Sequence, residues 1–287
     1  MNTIDLHVHS VCSDGTFTPA QLVEYARQKG LRAFALTDHD TISGLAEAFL
    51  AARNDSGTSV SSLEVIAGIE FSTEYLGRDV HIVGLDMDYR TPAFLAEVTR
   101  RQEERVHRNQ KIFAKMAADG IAISEEQMRA EFGDTIWTRA HIARYLAEHG
   151  YVPSMQDAFL THVGDHCKYF VPREKSSPEQ TAAFIRQNHG IPILAHPFQY
   201  RLGEDGLNTL VHSLKASGLI GIEAIYSCHS QEQERYIRQL CRRLGLCISG
   251  GSDFHGTNKP DIDLGTGMGG LQIPYEVLEK LRNARQR

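Results

Sequence analysis

Thr3-Ile4-Asp5-Leu6-His7-Val8-His9 reads as a β-strand and sets the reading of everything after it. Side chains two apart on a strand point the same way. His7 and His9 therefore present two imidazoles to one ion. An isolated His-x-His is also compatible with a plain polar strand edge, so the rest of the chain has to decide.

Outward from this strand, the first hundred residues alternate strand and helix. Thr18-Pro19 opens a helix, with Thr18 as N-cap and Pro19 in the first turn, and the helix stops at Gly30. Ala33–Leu36 is a short strand ending in Thr37-Asp38-His39-Asp40. Ser43–Ala52 is helical, and Glu64–Ile69 and Val80–Leu85 are strands. From Pro92 the rhythm turns helical, with Phe94–Ala118, Ser124–Phe132 and Thr138–His149 as helices. The alternation then resumes. Helices over Pro178–His189, Leu207–Ser217, Ser230–Leu244 and Tyr275–Asn283 enclose strands at Pro192–Ala195, Ile220–Ile225 and Cys247–Ser249. This pattern predicts an α/β fold with a largely parallel sheet or barrel, interrupted by a helical insertion. The expected divisions are 1–92 and 172–287 for the barrel, and 93–171 for the insertion.

One feature of position carries chemistry. His7, His9, Asp14, His39, Glu70, His81, His196, Asp253 and His255 each fall at or just after a predicted strand end. In α/β barrels the strand ends share the face on which active sites form. Six imidazoles and three carboxylates, with no thiolate, suit Zn, Mn, Fe, Co or Ni. Nine ligands exceed what one ion takes and imply two or three. Ions ~3.5–4 Å apart are a common device of phosphoryl chemistry. Each element alone has a plainer reading. Thr37-Asp38-His39-Asp40 is compatible with a capping turn, His81 with a core histidine, and His196-Pro197 with a rigid turn.

Composition narrows the class. The chain has 287 residues, 41% hydrophobic and 23% charged, as expected of a globular protein with a sizeable core. Its net charge of −6 weighs against long nucleic acids as the main partner. Met1-Asn2-Thr3-Ile4-Asp5 has no signal-peptide pattern, and no segment approaches the ~20 apolar residues of a membrane span. A cytoplasmic location without membrane attachment is expected. The five cysteines form no CxxC pair, which argues against a disulfide framework or a thiolate zinc site.

The ordered set His7-Val8-His9, Ser13-Asp14-Gly15, Thr37-Asp38-His39-Asp40, Gly68-Ile69-Glu70, Val80-His81-Ile82, Ala195-His196-Pro197 and Gly251-Ser252-Asp253-Phe254-His255 resembles the PHP (polymerase and histidinol phosphatase) family. Within it, the insert carrying Thr138-Arg139-Ala140-His141 resembles the branch of 3′,5′-nucleotide bisphosphate phosphatases and of the exoribonuclease acting on 5′-phosphorylated short RNA. The resemblance implies a distorted seven-stranded β/α barrel, TIM-like, with an inserted helical subdomain and three metal positions. By motif, His7, His9, Glu70 and Asp253 would hold the first ion. Glu70, His81 and His196 would hold the second, and Asp14, His39 and His255 the third. Many members carry histidine where Asp14 stands, and the carboxylate hardens that position toward Mn or Fe. The implied reaction is hydrolysis of a phosphate ester on a small nucleotide or short oligonucleotide, by a hydroxide held between two ions. Histidinol-phosphate hydrolysis, a non-catalytic nucleic-acid module and metal-dependent amide hydrolysis are the alternatives.

Other residues are candidates for the substrate. Arg139 starts a predicted helix, where backbone N–H groups also favour an anion, and offers a bidentate fork to phosphate. Lys168 and Arg173 are further phosphate candidates. Tyr169, Phe170 and Tyr226 are candidates to contact a base or ribose, with core packing as the alternative. His229 follows a strand end and is placed to contact phosphate or protonate the leaving oxygen. Asp38 is expected to orient a ligating imidazole. Gly265-Thr266-Gly267-Met268-Gly269-Gly270 lacks the spacing of a dinucleotide loop. His107, His149, His162, His166, His189 and His212 are expected at the surface.

Overall fold

The computed structural model describes residues 3–53, 63–164, 167–172 and 176–286. His166 and Arg173, singled out above, lie outside the described residues. Two compact units emerge: Met1–Phe94 with Ser176–Arg287, and Leu95–Lys175.

The first unit is a seven-stranded sheet in the order β1 (Ile4–Val8), β2 (Ala33–Leu36), β3 (Glu64–Tyr75), β4 (Arg78–Leu85), β5 (Ile191–Leu194), β6 (Gly221–Tyr226) and β7 (Cys247–Gly251). The ends of β1 and β7 meet. Asp253 N donates to His7 O at 2.9 Å, and His9 N donates to Phe254 O at 3.0 Å. The sheet is therefore a nearly closed barrel. Around it lie α1 (Pro19–Gln28), α2 (Leu45–Arg53), the start of α3 (Pro92–Ala118), and, beyond the insertion, α7 (Pro178–Gln187), α8 (Gly203–Ala216), α9 (Gln231–Leu244) and α10 (Glu276–Arg285). Thr18 caps α1 in a capping box with Gln21, and Ser177 and Ser230 do the same for α7 and α9.

The sheet departs from the expected parallel form at one strand. β4 runs antiparallel to both β3 and β5. The cause is a two-residue turn, Leu76-Gly77, with φ of 52° and 74°, joining Tyr75 to Arg78. Two successive positive φ values match the twist of a tight hairpin. β3 runs on to Tyr75, well past the predicted Ile69. Glu70 thus lies within a strand, and His81 lies near the start of β4. The reversal of β4 brings the start of that strand to the face where the parallel strands end.

The opposite end of the barrel is apolar. One buried cluster takes Ile4, Leu6, Ala33, Ala35, Ile66, Val83, Leu85, Ile191 and Ile193 from β1 to β5, with Val277, Leu278 and Leu281 of α10. These strand residues sit mostly at strand starts, and Leu85 at the end of the reversed β4. A second cluster packs Val8, Phe34 and Leu36 against Leu22, Val23, Ala26 and Leu45 of α1 and α2. The β1–β2 register shifts between Asp5 and Val8. Leu6 and Val8 accordingly join different clusters, and His7 and His9 flank the outward Val8.

The second unit is helical: the remainder of α3, α4 (Glu125–Phe132), α5 (Arg139–Glu148), α6 (Met155–Ala158) and a π-helical turn at Phe159–Val163. Its own core contains Ile112, Phe113, Met116, Met128, Ile142, Leu146, Val163 and Tyr169. Thr138 caps α5 in a capping box completed by His141, and Gly150 follows with φ 74°.

Candidate metal centre

Glu70 is the hub of the site. Its Oε2 lies 3.2 Å from His7 Nε2, 3.2 Å from His9 Nε2 and 3.0 Å from His39 Nδ1. Its Oε1 lies 2.9 Å from His81 Nδ1 and 3.0 Å from His196 Nε2. Asp253 Oδ1 lies 3.8 Å from His7 Nε2, 3.4 Å from His9 Nε2 and 3.4 Å from His255 Nδ1. Asp14 approaches His255 Nε2 at 3.2 Å, and His9 Nδ1 and His39 Nε2 at 3.7 Å. All nine sequence-selected side chains therefore form one contiguous cluster. Their grouping differs in detail from the one the motifs imply. His39 stands with Glu70 and His81 as well as with Asp14, His9 and His255.

Two of these residues have backbones that L-residues seldom adopt. Asp253 has φ 59° and His196 has φ 23°. Non-glycine residues in this region are held there by their surroundings and gather at functional sites. Each stands just past the end of its strand, where the turn aims the side chain at Glu70 or at the His7–His9 pair.

The donor set fits divalent cations. His7 Nε2, His9 Nε2, His39 Nδ1 and Glu70 Oε2 are buried and, among the described residues, make no hydrogen bond. Buried polar atoms ordinarily find a partner. Here four of them face one another, and a bound cation would supply what the protein does not. Nitrogen and oxygen donors without thiolate suit borderline to hard ions.

The carboxylates are charged, as binding of a cation requires. Burial raises the Glu70 carboxyl, but His39, His7 and His81 outweigh it and hold it well below the usual range. Asp14 and Asp253 are likewise held well below theirs against burial, Asp14 by His39 and His255, Asp253 by Lys259 and His255. All three are carboxylates at neutral pH. The imidazoles differ. Burial depresses His39 to about 3, whereas His9, opposed by burial but facing the carboxylates of Asp253 and Glu70, rises to about 9, so an ion bound there would displace its proton.

A PHP-domain family model matches residues 5–170, more than half of the chain. The chain belongs to the PHP-domain family. A 5′-3′ exoribonuclease of Haemophilus influenzae is 35% identical over 251 residues, spanning 88% of this chain and 89% of the relative. A 3′,5′-nucleoside bisphosphate phosphatase of Chromobacterium violaceum is 33% identical over 266 residues, spanning 92% and 91%. A solved structure from Bifidobacterium adolescentis, described as a metal-dependent phosphoesterase, superposes with a TM-score of 0.84 at 27% identity, covering 99% and 96% of the two chains. This PHP protein is a metal-dependent phosphoesterase with His/Asp/Glu clusters able to bind metal.

Around the cluster, buried acceptors fix which nitrogen His7, His9 and His255 turn inward. Ser13 Oγ donates to Asp38 Oδ1 at 2.6 Å and lies 3.4 Å from His9 Nδ1. Asp38 thus reaches His9 through Ser13, and it also accepts from Ser10 N at 2.7 Å. His255 Nδ1 donates to Asp253 O at 2.8 Å, which leaves Nε2 toward Asp14. His7 Nδ1 lies 3.2 Å from Glu223 Oε1, so its hydrogen belongs there and Nε2 faces Glu70. Glu223 was not among the sequence candidates. A single acid in an apolar strand was the signal for it.

The PHP site places the substrate candidates differently. Tyr226 is buried, and its hydroxyl donates to Asp253 Oδ2 at 2.9 Å while accepting from Gln199. That hydroxyl is committed to Asp253. His229 Nδ1 donates to Ala224 O at 3.0 Å, leaving Nε2 buried and without a partner among the described residues. Burial lowers its pKa, so the ring is neutral at pH 7 with a bare Nε2. In the helical unit, Arg139 Nη1 donates to Val163 O at 3.1 Å and its guanidinium lies 5.8 Å from the Phe170 ring centroid. Lys168 Nζ pairs with Asp119 at 2.8 Å. Tyr169 is buried in that unit's core. The Gly265–Gly270 run forms turns, with Gly265 N donating to Asp5 Oδ2 at 2.8 Å.

Proposed function

We propose that this PHP enzyme hydrolyses a phosphate ester on a small nucleotide, either a 3′,5′-bisphosphate or the 5′-terminal ester of a short oligonucleotide. Two or three ions of the Mn, Fe or Zn class would be held by His7, His9, Asp14, His39, Glu70, His81, His196, Asp253 and His255. The observation that carries the reading is the convergence of five imidazoles on the two oxygens of Glu70. A carboxylate so shared suits adjacent ions better than a single one. The names of the two curated relatives supply the substrate class.

When bound, the ions would supply an activated water and neutralise charge on the phosphate oxygens. The chain does the rest. Glu70 and Asp253 set the ligand spacing. Asp38, acting through Ser13, and Glu223 keep His9 and His7 turned inward. The leaving oxygen takes its proton either from His229, which gains it at Nε2 from the attacking water, or directly from a water. Arg139 is assigned to substrate phosphate, with Lys168 as a lesser contributor, whereas Tyr169 packs in the core of its unit.

The test is phosphate release by the purified protein with Mn²⁺. Adenosine 3′,5′-bisphosphate and 5′-phosphorylated dinucleotides are assayed beside histidinol phosphate. Turnover of a nucleotide substrate is expected. Metal-loaded protein that releases nothing from either nucleotide, or prefers histidinol phosphate, overturns the substrate reading. Salt-sensitive RNA binding without turnover would instead mark a binding module.

A further inference from the structure

Lys259 closes the short 3₁₀ turn Gly256–Asn258 that follows Asp253 and His255. Its Nζ lies 2.6 Å from Asp253 Oδ2, the oxygen that also accepts from Tyr226. The other oxygen, Oδ1, faces His7, His9 and His255. Asp253 is thus divided, with one oxygen toward the ion centre and one toward the lysine and tyrosine.

Lys259 stands at the rim of the cluster. The Lys259 side chain is 36% exposed, against 4% for Asp253. An ammonium carries three donors, and Asp253 takes one of them. Among the described residues Nζ makes no other hydrogen bond, so two donors remain for a ligand. Ions sharing Asp253 Oδ1 would also draw charge from that carboxylate and loosen its hold on the lysine.

The geometry points to Lys259 as a substrate-contacting residue, donating to an oxygen of the phosphate held at the metal centre. This deepens the phosphoesterase reading above and depends on it for the location of the phosphate. It does not depend on the nucleotide. Lys259 neutralises one phosphate oxygen, complementing the ions from the rim. A point-charge contact of this kind tolerates arginine better than a neutral side chain.

The experiment uses inorganic phosphate as the probe and the whole chain loaded with Mn²⁺. Phosphate affinity is measured by calorimetry and Mn content by elemental analysis, for wild type, Lys259→Gln and Lys259→Arg. The expected result is a roughly 10–100-fold weaker phosphate affinity in Lys259→Gln, the scale of a charge-assisted hydrogen bond. Mn content should be unchanged, and Lys259→Arg should recover most of the affinity. The inference is overturned if phosphate affinity is unchanged in Lys259→Gln, or falls only together with Mn content, since the lysine then merely positions Asp253. Wild-type protein that holds Mn and binds no phosphate also overturns it. A Lys259-dependent phosphate affinity without nucleotide turnover would instead sink the nucleotide reading and leave this one standing.

Discussion

Glu223 Oε1 lies 3.2 Å from His7 Nδ1, and Glu223 Oε2 accepts the His196 N–H at 2.7 Å. One buried carboxylate from β6 thereby holds a side chain of β1 and the backbone just past β5. It sets the tautomer of His7 and pins the turn that aims His196 at Glu70. Glutamine in its place can serve one of these contacts but must turn a donor toward the other. Glu223→Gln is expected to stay folded and to bind Mn²⁺ or Zn²⁺ about 10–100-fold more weakly, the usual cost of losing such a partner. Circular dichroism and metal titration check the two halves separately. Unchanged metal affinity would show that His7 needs no such support.

A bound ion stabilises the fold by mass action. The four buried atoms without hydrogen bonds, His7 Nε2, His9 Nε2, His39 Nδ1 and Glu70 Oε2, gain partners only in the native state. At one hundred times its Kd, an ion adds about 2.7 kcal/mol. For a domain of this size that corresponds to a rise in Tm of about 5–10 °C. Thermal unfolding with Mn²⁺ and after chelation should show this difference, and chelation should abolish phosphoesterase activity. His7→Asn should reduce both the activity and the metal-induced shift without unfolding the protein.

The ligands were legible in the sequence because few residue types bind metal, and nine of them recurred beside strands. The barrel was legible from the alternation of strand and helix. The reversed strand was not. Polar Glu70, Ser72 and Glu74 lie beyond Ile69, where the expected strand ends, although on a strand each faces away from Phe71 and Thr73 between them. With the strand cut short, the Leu76-Gly77 hairpin was invisible, and His81 read as a strand end. Glu223 and Lys259 escaped for another reason. Glu223 meets His7 across 216 positions of sequence, a proximity that only closure of the barrel creates. Lys259 has the look of any surface lysine until Asp253 is placed beside it.

Gly251 is where β7 passes closest to the first ligand. A Cβ built there would lie 2.2 Å from His7 Cβ and 2.9 Å from Glu223 Oε1. The nearer atom belongs to the root of a buried side chain and cannot swing away. Gly251→Ala must therefore part β1 from β7 or displace His7. Overpacking of this kind costs about 1–3 kcal/mol. Denaturant unfolding should report that loss, and metal titration should report a weaker site. A variant with wild-type stability and metal affinity would mean that the strands separate more readily than this packing suggests.

The loop bearing Asp253 and His255 rests on aromatic rings. Phe254 lies 5.4 Å from Phe17 and 6.0 Å from Tyr25 between centroids. Tyr25 is tied in turn to Asp263, its hydroxyl donating to Oδ1 at 2.6 Å. That bond, with burial and the Asp263 charge behind it, lifts the Tyr25 pKa to about 12. The folded value thus exceeds the ordinary value of about 10. The contribution of the bond to stability is fully present below the unfolded pKa and is lost as pH rises through the folded one. Stability should fall between about pH 10 and pH 12 by an amount that Tyr25→Phe removes. A near-ultraviolet titration of wild type against Tyr25→Phe should show one tyrosine fewer ionising at the high end. If the two proteins titrate alike, Tyr25 ionises as a free phenol and the bond to Asp263 does not hold in solution.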